Sequence, residues 1–235
     1  MIRLGVTGTD TAVGKTLIST VLLRMLRSRG LRVSAMKPVE TGVKPDDPAT
    51  DARRLMAAAG ADDPIADVRP LLLAEPLAPW VASERAGTEV DLGVLDAAFA
   101  RLSEGRDAVL VEGAGGLLVP ITRQVGFDSL FVQWELDVVV VAGNRLGAIN
   151  HTLLTVRAAH DAGLRVRGVV LNALGPEPAG IAEATNLEAL SDLLAPVPVL
   201  AFPWLRKPDD EAYVLGVAED AGLGALLADR TPPPT

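Results

Sequence analysis

The chain has 235 residues, 49% of them hydrophobic, and a formal net charge of −8 at pH 7. It is long enough to bury a substantial core, and its acidic balance without a basic cluster argues against nucleic acid or an anionic membrane as a partner. It contains no cysteine, which excludes disulfide bonds, thiolate metal sites and a cysteine nucleophile. The first residues become polar too soon for a signal peptide, and the apolar runs are too short to span a bilayer, so we expect a cytoplasmic protein.

Apolar runs of strand length alternate along the chain with amphipathic segments of helix length. The predicted strands are residues 2–6, 32–36, 108–111, 137–142, 166–171 and 197–202. The predicted helices are residues 16–29, 91–102, 149–162 and 179–194. The four consecutive valines at 138–141 do not alternate with polar residues, which indicates a strand covered on both faces. The pattern predicts an α/β P-loop fold, a doubly wound, mostly parallel sheet with helices on both faces.

Two parts of the chain are less regular. Residues 40–79 are rich in proline, aspartate and alanine, and we expect a loop with short helices there. No break in composition marks a second domain, so we expect a single domain over residues 1–230. A frayed, proline-rich tail is expected at residues 231–235.

The first strand leads into the segment TGTDTAVGKT, residues 7–16, which precedes the first predicted helix. A strand, a glycine turn and a helix opening on Gly14-Lys15-Thr16 are typical of a phosphate-binding P-loop. Backbone amides and the helix dipole favour an anion there, Lys15 can reach phosphate oxygens, and the Thr16 hydroxyl can ligate Mg²⁺. Five residues rather than the usual four separate Gly8 from Gly14. The alternative is a glycine turn capping an ordinary helix.

Charged residues follow the next two predicted strands, at the edge where parallel sheets bind ligands. Lys37 ends the second strand, where it could stabilise charge during phosphoryl transfer or simply be solvated. Asp51 follows Thr50 at a predicted helix start, as a carboxylate directed at Mg²⁺ or as an ordinary first-turn acid. Glu112 ends an apolar strand and precedes glycines that allow close approach of a ligand, which favours a second Mg²⁺ ligand.

Two asparagines occupy comparable positions further along the chain. Asn172 ends the strand at 166–171, where its amide could contact a purine edge or serve in a plain turn. Asn150 lies where the segment after residue 143 enters a helix, and the start of that helix is a potential anion site.

Five motifs occur in a fixed order: TGTDTAVGKT, MKPVETG, VEGAGGLLVP, LGAINHTLLT and FPWL. In this order they resemble the dethiobiotin synthetase family, and the similarity runs from about residue 2 to residue 205. The P-loop is shared with a very large superfamily, whereas VEGAGG together with LGxxNHxxLT is specific. The five-residue gap in the P-loop is itself usual in that family.

The resemblance implies a homodimeric, Mg²⁺- and ATP-dependent ligase of biotin synthesis. Such an enzyme converts 7,8-diaminononanoate and CO₂ into dethiobiotin, with ADP and phosphate as the other products, through a carbamate and a carbamic-phosphoric anhydride. Its chemistry needs cations and backbone donors, because each intermediate is anionic.

The resemblance also implies site residues. The phosphates would contact Thr11, Ala12, Val13, Gly14, Lys15 and Thr16. The rest of the nucleotide site would include Gly113, Ala114, Gly115, Asn172, Pro203, Trp204, Leu205 and Asp209. Mg²⁺ would be held by Thr16, Asp51 and Glu112. Lys37 and Lys15 would be catalytic, and the diamine would contact Lys37, Thr41 and, across the dimer, Asn150.

The chain departs from the family at two places. Ala12 stands where some members carry glutamate, so a role for that carboxylate is absent. After Leu205 the chain is one residue shorter than in some relatives, which leaves Asp209 or Glu211 as the acid beside the nucleotide, and we favour Asp209.

Three other functions compete with this interpretation. A nucleotide-dependent dimerising switch ATPase of the partition type would carry an extra lysine early in its P-loop, where this chain has Thr9 and Asp10. A cobalamin-pathway amide ligase would rely on a glutaminase cysteine, and the chain has none. The third is a nucleotide-binding domain without catalysis of its own.

Overall fold

The computed structural model describes residues 1–177 and 180–228. Its strands, in chain order, are β1 (Ile2–Gly8), β2 (Val33–Met36), β3 (Val39–Thr41), β4 (Leu71–Leu73), β5 (Ala108–Gly116), β6 (Asp137–Gly143), β7 (Val166–Asn172) and β8 (Val199–Phe202). Its α-helices are α1 (Lys15–Ser28), α2 (Asp51–Ala59), α3 (Ile65–Val68), α4 (Pro79–Ala86), α5 (Leu92–Ser103), α6 (Phe127–Gln133), α7 (Ala148–Asp161), α8 (Ile181–Leu194) and α9 (Glu211–Asp220). A short 3₁₀ helix over Leu223–Leu227 follows α9.

Six of these strands form the main sheet, in the order β2-β5-β1-β6-β7-β8, and each neighbouring pair is parallel. This confirms the predicted parallel α/β fold. The chain passes from β1 over to β2 on one side and returns from β5 past β1 to β6 on the other. Because the winding reverses at β1, a crevice opens at the carboxyl end of that strand, where such sheets bind ligands. The P-loop leaves β1 at this point.

The valines of β6 explain why this strand reads as one apolar run. Val138 and Val140 pack into the core layer beneath α5, α6 and α7, which includes Phe127. Val139 and Val141 pack into the opposite layer, beneath α1 and α9. Both faces of the strand are therefore buried, and burying each such side chain contributes about 1.5–3 kcal/mol.

The irregular region between β2 and α4 contains the expected short helices, α2 and α3, and also a small sheet that the sequence did not predict. In that sheet β3 and β4 pair in parallel, with Val39 opposite Leu71 and Thr41 opposite Leu73. Strands of three residues are too short to show a period, so their pairing depends on tertiary contacts. Helices α4, α6 and α9 were likewise not predicted.

Two sequence predictions concern residues that the structure describes only in part. The predicted helix at 179–194 corresponds to α8, which begins at Ile181, and residue 179 lies outside the described residues. The tail at 231–235 and the end of the predicted domain also lie outside them. Among the helices of the described ranges, none combines the length and apolarity needed to cross a bilayer.

Candidate active site

The P-loop is held in shape by backbone conformation and by the neighbouring strand. The Thr9 amide donates to the Val141 carbonyl of β6 over 2.9 Å, and the loop then turns through left-handed residues at Ala12 (φ 57°) and Gly14 (φ 97°). A Cβ on Gly14 would lie 2.2 Å from the Asn172 amide nitrogen, so only glycine fits there. Gly14 is also the N-cap of α1, and it has no side chain that could occupy the first-turn amides. These amides can bind an anion.

Lys15 follows directly and is buried at the mouth of the loop. Its ammonium donates to the Asp10 carbonyl over 2.9 Å. Burial lowers the pKa of Lys15 to about 8, and the nearby Lys37 ammonium adds to this effect. A bound phosphate would favour the charged form of Lys15, because its negative charge would offset the loss of hydration that burial causes.

A cluster of buried charges lies beside the loop, centred on Glu112 at the end of β5. Glu112 is fully buried, and its Oε1 accepts hydrogen bonds from the Thr16 hydroxyl (2.9 Å) and the Lys37 ammonium (2.6 Å). The same ammonium lies 3.1 Å from Asp51 Oδ2 and donates to the Gly113 carbonyl over 3.1 Å. Four segments distant in sequence thus meet at one point.

Within this cluster, Lys37 and Asp51 shift each other's pKa. Burial alone would lower the pKa of Lys37, but the negative charges of Glu112 and Asp51 outweigh it and raise that pKa above its ordinary value. Burial acts to raise the pKa of Asp51, yet the Lys37 ammonium and a hydrogen bond with Thr16 hold it below its ordinary value. Lys37 is therefore a buried cation rather than the solvated lysine that the sequence left open.

The donor set fits a magnesium ion that arrives with a nucleotide. Among the described residues, Glu112 Oε2 is buried without a hydrogen-bond partner, so one carboxylate oxygen is available to a ligand. The Thr16 hydroxyl and the Asp51 carboxylate supply further hard oxygens. Within the part of the chain that the structure describes, no group of three or more His, Cys, Asp or Glu could hold a metal by itself. Mg²⁺ typically takes one or two protein carboxylates and completes its shell with phosphates and water.

A cavity of about 850 Å³ opens over this cluster. Of the site residues predicted from sequence, it is lined by Thr11, Ala12, Gly14, Lys15, Thr16, Lys37, Thr41, Asp51, Ala114 and Gly115. Its apolar wall is built by Val43, Pro76, Leu77, Pro79 and Val119. The cavity is therefore lined by both cationic and aliphatic side chains.

The other predicted site residues lie outside this lining. Val13 is buried in the core layer beneath α1. Asn172 lies behind Gly14, where its Nδ2 donates to the Val13 carbonyl over 3.0 Å and its buried Oδ1 has no partner among the described residues. Asn150 is exposed in the first turn of α7.

The segment after β8 lies near Asn172 because of strand register. Asn172 pairs with Phe202, so Pro203, Trp204 and Leu205 continue from the same sheet edge, with Trp204 45% exposed. Of the two candidate acids beyond it, Glu211 forms an ion pair with Arg27 of α1, whereas Asp209 is exposed.

Sequence reasoning missed several residues that belong to the cavity or support it. Glu40 and Arg54 line the cavity together with the apolar wall. Asp10 accepts a hydrogen bond from the Thr11 amide over 2.7 Å and pairs with Arg145 at 3.0 Å. Glu40 is visible in the sequence as the acidic residue of the MKPVETG motif, but only the fold brings its partners, the Asp51 amide and Arg69, next to it.

The parallel sheet, the P-loop leaving its central strand and the acid at the end of the adjacent strand define the chain as a P-loop NTPase. A family model for the AAA domain matches residues 3–212. The cell division ATPase MinD of Pyrococcus furiosus superposes with a TM-score of 0.54 at 19% identity, over 95% of this chain and 100% of that one. Apo McdA from Cyanthece superposes with a TM-score of 0.52 at 15% identity, over 96% and 95%. At such identities the likeness shows the fold alone.

Relatives of higher identity narrow the class. The chain is 42% identical over 212 residues to the ATP-dependent dethiobiotin synthetase BioD of Anaeromyxobacter sp. (strain K), which covers 87% of this chain and 90% of that one. It is 38% identical over 234 residues to BioD of Thermodesulfovibrio yellowstonii, over 95% and 97%. The chain belongs to the family of ATP-dependent dethiobiotin synthetases, and the resemblance seen in its motifs is confirmed.

Proposed function

We propose that this protein is a Mg²⁺- and ATP-dependent dethiobiotin synthetase that joins 7,8-diaminononanoate to CO₂ and closes the cyclic urea, releasing ADP and phosphate. The observation that carries the proposal is the buried cluster of Lys37, Glu112 and Asp51 beside the P-loop. It supplies cations and metal-binding oxygens where a phosphoryl group would be transferred. Relatives 38–42% identical over most of the chain are named as such synthetases.

Mg²⁺ would be held by Thr16, Asp51 and Glu112, and when bound it would neutralise charge on the phosphates. The buried Glu112 Oε2, which has no hydrogen-bond partner within residues 1–177 and 180–228, supports this assignment. The nucleotide phosphates would lie on the amides from Thr11 to Thr16, with Lys15 at their terminal oxygens.

The reaction divides into three bond-forming steps. One amine of the diamine attacks CO₂, loses a proton and becomes a carbamate. A carbamate oxygen attacks the γ-phosphorus of ATP, the bond to ADP breaks, and a carbamic-phosphoric anhydride forms. The second amine then attacks the carbamoyl carbon, loses its proton and expels phosphate, which closes the ring.

Lys37 would act in these steps as a fixed cation. Its pKa is raised by Glu112 and Asp51, so the ammonium stays charged at neutral pH and is not a proton acceptor. Negative charge on the carbamate and on the transferring phosphoryl group would be stabilised by Lys37 and Lys15 without rearrangement of solvent. The proton released with the carbamate would leave to solvent, so that the second amine attacks as the free base, and the proton released in ring closure would pass to the departing phosphate.

The aliphatic chain of the diamine would lie against the apolar wall at Pro76, Leu77 and Val119, with Thr41 at its polar end. We further propose a homodimer in which Asn150 and the start of α7 receive the substrate carboxylate of the partner's site. Leu146 is 85% exposed just before this helix, as is expected of a side chain that a second copy covers.

The first prediction concerns coupling. Phosphate release from ATP should be slow alone and many-fold faster when the diamine and bicarbonate are both present, with cyclic urea formed in proportion. Vigorous ATP turnover that ignores the diamine would instead favour the partition-type switch. Dependence on glutamine would favour the amide ligase, and binding without turnover would favour a domain lacking catalysis.

The second prediction concerns the nucleotide base. We propose that Asn172 Oδ1 accepts a hydrogen bond from the exocyclic amine of adenine, because this buried oxygen has no partner among the described residues. ATP should then bind about tenfold more tightly than ITP, whose oxo group cannot donate, since one such hydrogen bond is worth about 1–1.5 kcal/mol. In Asn172→Ala this preference should disappear in calorimetric titrations.

A matched control is Asn186→Ala. Asn186 is also a buried asparagine, and its Nδ2 bonds to Asn144 Oδ1 (2.9 Å) and to the Arg145 carbonyl (3.1 Å). Its loss should lower stability and leave the preference for ATP over ITP intact. An unchanged preference in Asn172→Ala would contradict the assignment.

A further inference from the structure

Glu40 is a buried carboxylate of β3 that does not belong to the phosphate or metal sites assigned above. It is 3% exposed, and its Oε1 accepts the backbone amide of Asp51 over 2.6 Å and that of Ala52 over 3.4 Å. These are the first two amides of α2. A negative charge at the amino end of a helix is favoured both by the free amides and by the helix dipole.

The next amides of the helix are satisfied as well. The Arg53 amide donates to the Thr50 hydroxyl over 3.4 Å, and the Arg54 amide makes the first helical bond, to the Thr50 carbonyl, over 3.1 Å. The first turn of α2 is therefore fixed by two side chains, one from its own N-cap and one from strand β3, 11 residues earlier. Asp51 is the first residue of that turn.

Arg69 completes the arrangement on the other side of Glu40. Its NH1 lies 3.0 Å from Glu40 Oε2, its NH2 donates to the Pro45 carbonyl over 3.4 Å, and it is 8% exposed. The two oxygens of Glu40 thus have different partners: Oε1 accepts the helix amides and Oε2 accepts the Arg69 guanidinium. A buried carboxylate needs such compensation, since an unpaired one is strongly destabilising.

We infer that Glu40 is a positioning residue for the Asp51 carboxylate, acting through the start of α2. The fixed turn puts Asp51 Oδ2 3.1 Å from Lys37 Nζ, next to Thr16 and Glu112. The inference rests on the proposed role of Asp51 as a Mg²⁺ ligand. Without an acceptor at the helix start, Asp51 would sample positions away from the ion, and Mg²⁺ would bind more weakly with ATP.

Two double variants test this without leaving a charge buried alone. Glu40→Gln/Arg69→Met and Glu40→Met/Arg69→Met both remove the ion pair and conserve side-chain shape, but only the glutamine keeps an oxygen for the Asp51 amide. The readout is the Mg²⁺ concentration that half-saturates calorimetric ATP binding. We expect it near the wild-type value in the glutamine variant and about tenfold higher in the methionine variant, as is typical when an outer-shell partner is lost.

Three comparisons make the outcome decisive. Asp63→Asn/Arg106→Met removes another partly buried ion pair, between the loop after α2 and the residues before β5, and should leave the Mg²⁺ requirement unchanged. Asp51→Asn must raise the requirement, and if it does not, the proposed metal site itself is wrong. If Asp51→Asn raises it while the two Glu40 variants behave alike, Glu40 serves only stability and the inference is overturned. Should the methionine variant not fold, Glu40→Ala/Arg69→Met, which also lacks the acceptor, takes its place.

Discussion

Replacing Glu112 with glutamine is expected to lower turnover by at least about a hundredfold and to raise the Mg²⁺ concentration needed for it. Even the loss of an outer-shell partner of a metal commonly costs about 10- to 100-fold, and Glu112 is proposed as a direct ligand. One of its oxygens is occupied by Thr16 and Lys37, which leaves Oε2 for the ion. A glutamine has a single oxygen, so it cannot serve the hydrogen bonds and the metal at once.

The measurement is a Mg²⁺ titration of dethiobiotin formation, together with thermal unfolding. Glu135→Gln is the matched control, because Glu135 pairs with Arg3 at the surface with its side chain 72% exposed, and the change there should affect neither quantity. A Glu112→Gln enzyme with the wild-type Mg²⁺ requirement would show that this carboxylate serves only as the partner of Lys37. So would a Mg-nucleotide complex in which Glu112 lies far from the ion.

The main sheet could be predicted because its strands and helices leave hydrophobic patterns that are local in the sequence and recur along the chain. Strands buried on both faces, such as β6 with its four valines, leave a continuous apolar run, and the helices between them leave a longer period. The pairing of β3 with β4 leaves no such trace. Their partners lie about thirty residues apart, and each strand has three residues, so tertiary contact decides the structure there.

The candidate site likewise has residues that the sequence could predict and residues that it could not. The rule that parallel strands gather their carboxyl ends was enough to expect Lys37 and Glu112 beside the P-loop. It could not tell that Lys37 would be buried between two acids, because burial depends on how the segment after β2 folds over it. Nor could it find Glu40, whose partners lie 11 and 29 residues away. The nearer partner is the backbone amide of Asp51, and because every residue except proline has such an amide, the sequence does not mark this one as a partner.

Lys37→Gln is expected to reduce dethiobiotin formation by about a hundred- to a thousandfold while leaving ATP affinity within a small factor. Removing one preorganised donor at a site of developing charge typically costs this much in rate. Ground-state phosphates would still be held by Lys15 and by the P-loop amides, so the loss should appear in kcat. Lys37→Arg should restore little, because Lys37 is only 3% exposed and its surroundings enclose a compact ammonium, from which a planar guanidinium differs in shape.

The direction of the change in Mg²⁺ requirement also distinguishes Lys37→Gln from Glu112→Gln. The Lys37 ammonium lies 2.6 Å from Glu112 and 3.1 Å from Asp51, between the two carboxylates proposed to hold Mg²⁺. Removing it takes away a positive charge that opposes the ion. The Mg²⁺ requirement of Lys37→Gln should therefore stay the same or fall, whereas that of Glu112→Gln should rise. Lys44→Gln, at an exposed lysine a few residues further along, is the control and should change neither rate nor requirement. Product formation by Lys37→Gln at close to the wild-type rate would mean that Lys37 only neutralises Glu112 in the folded protein.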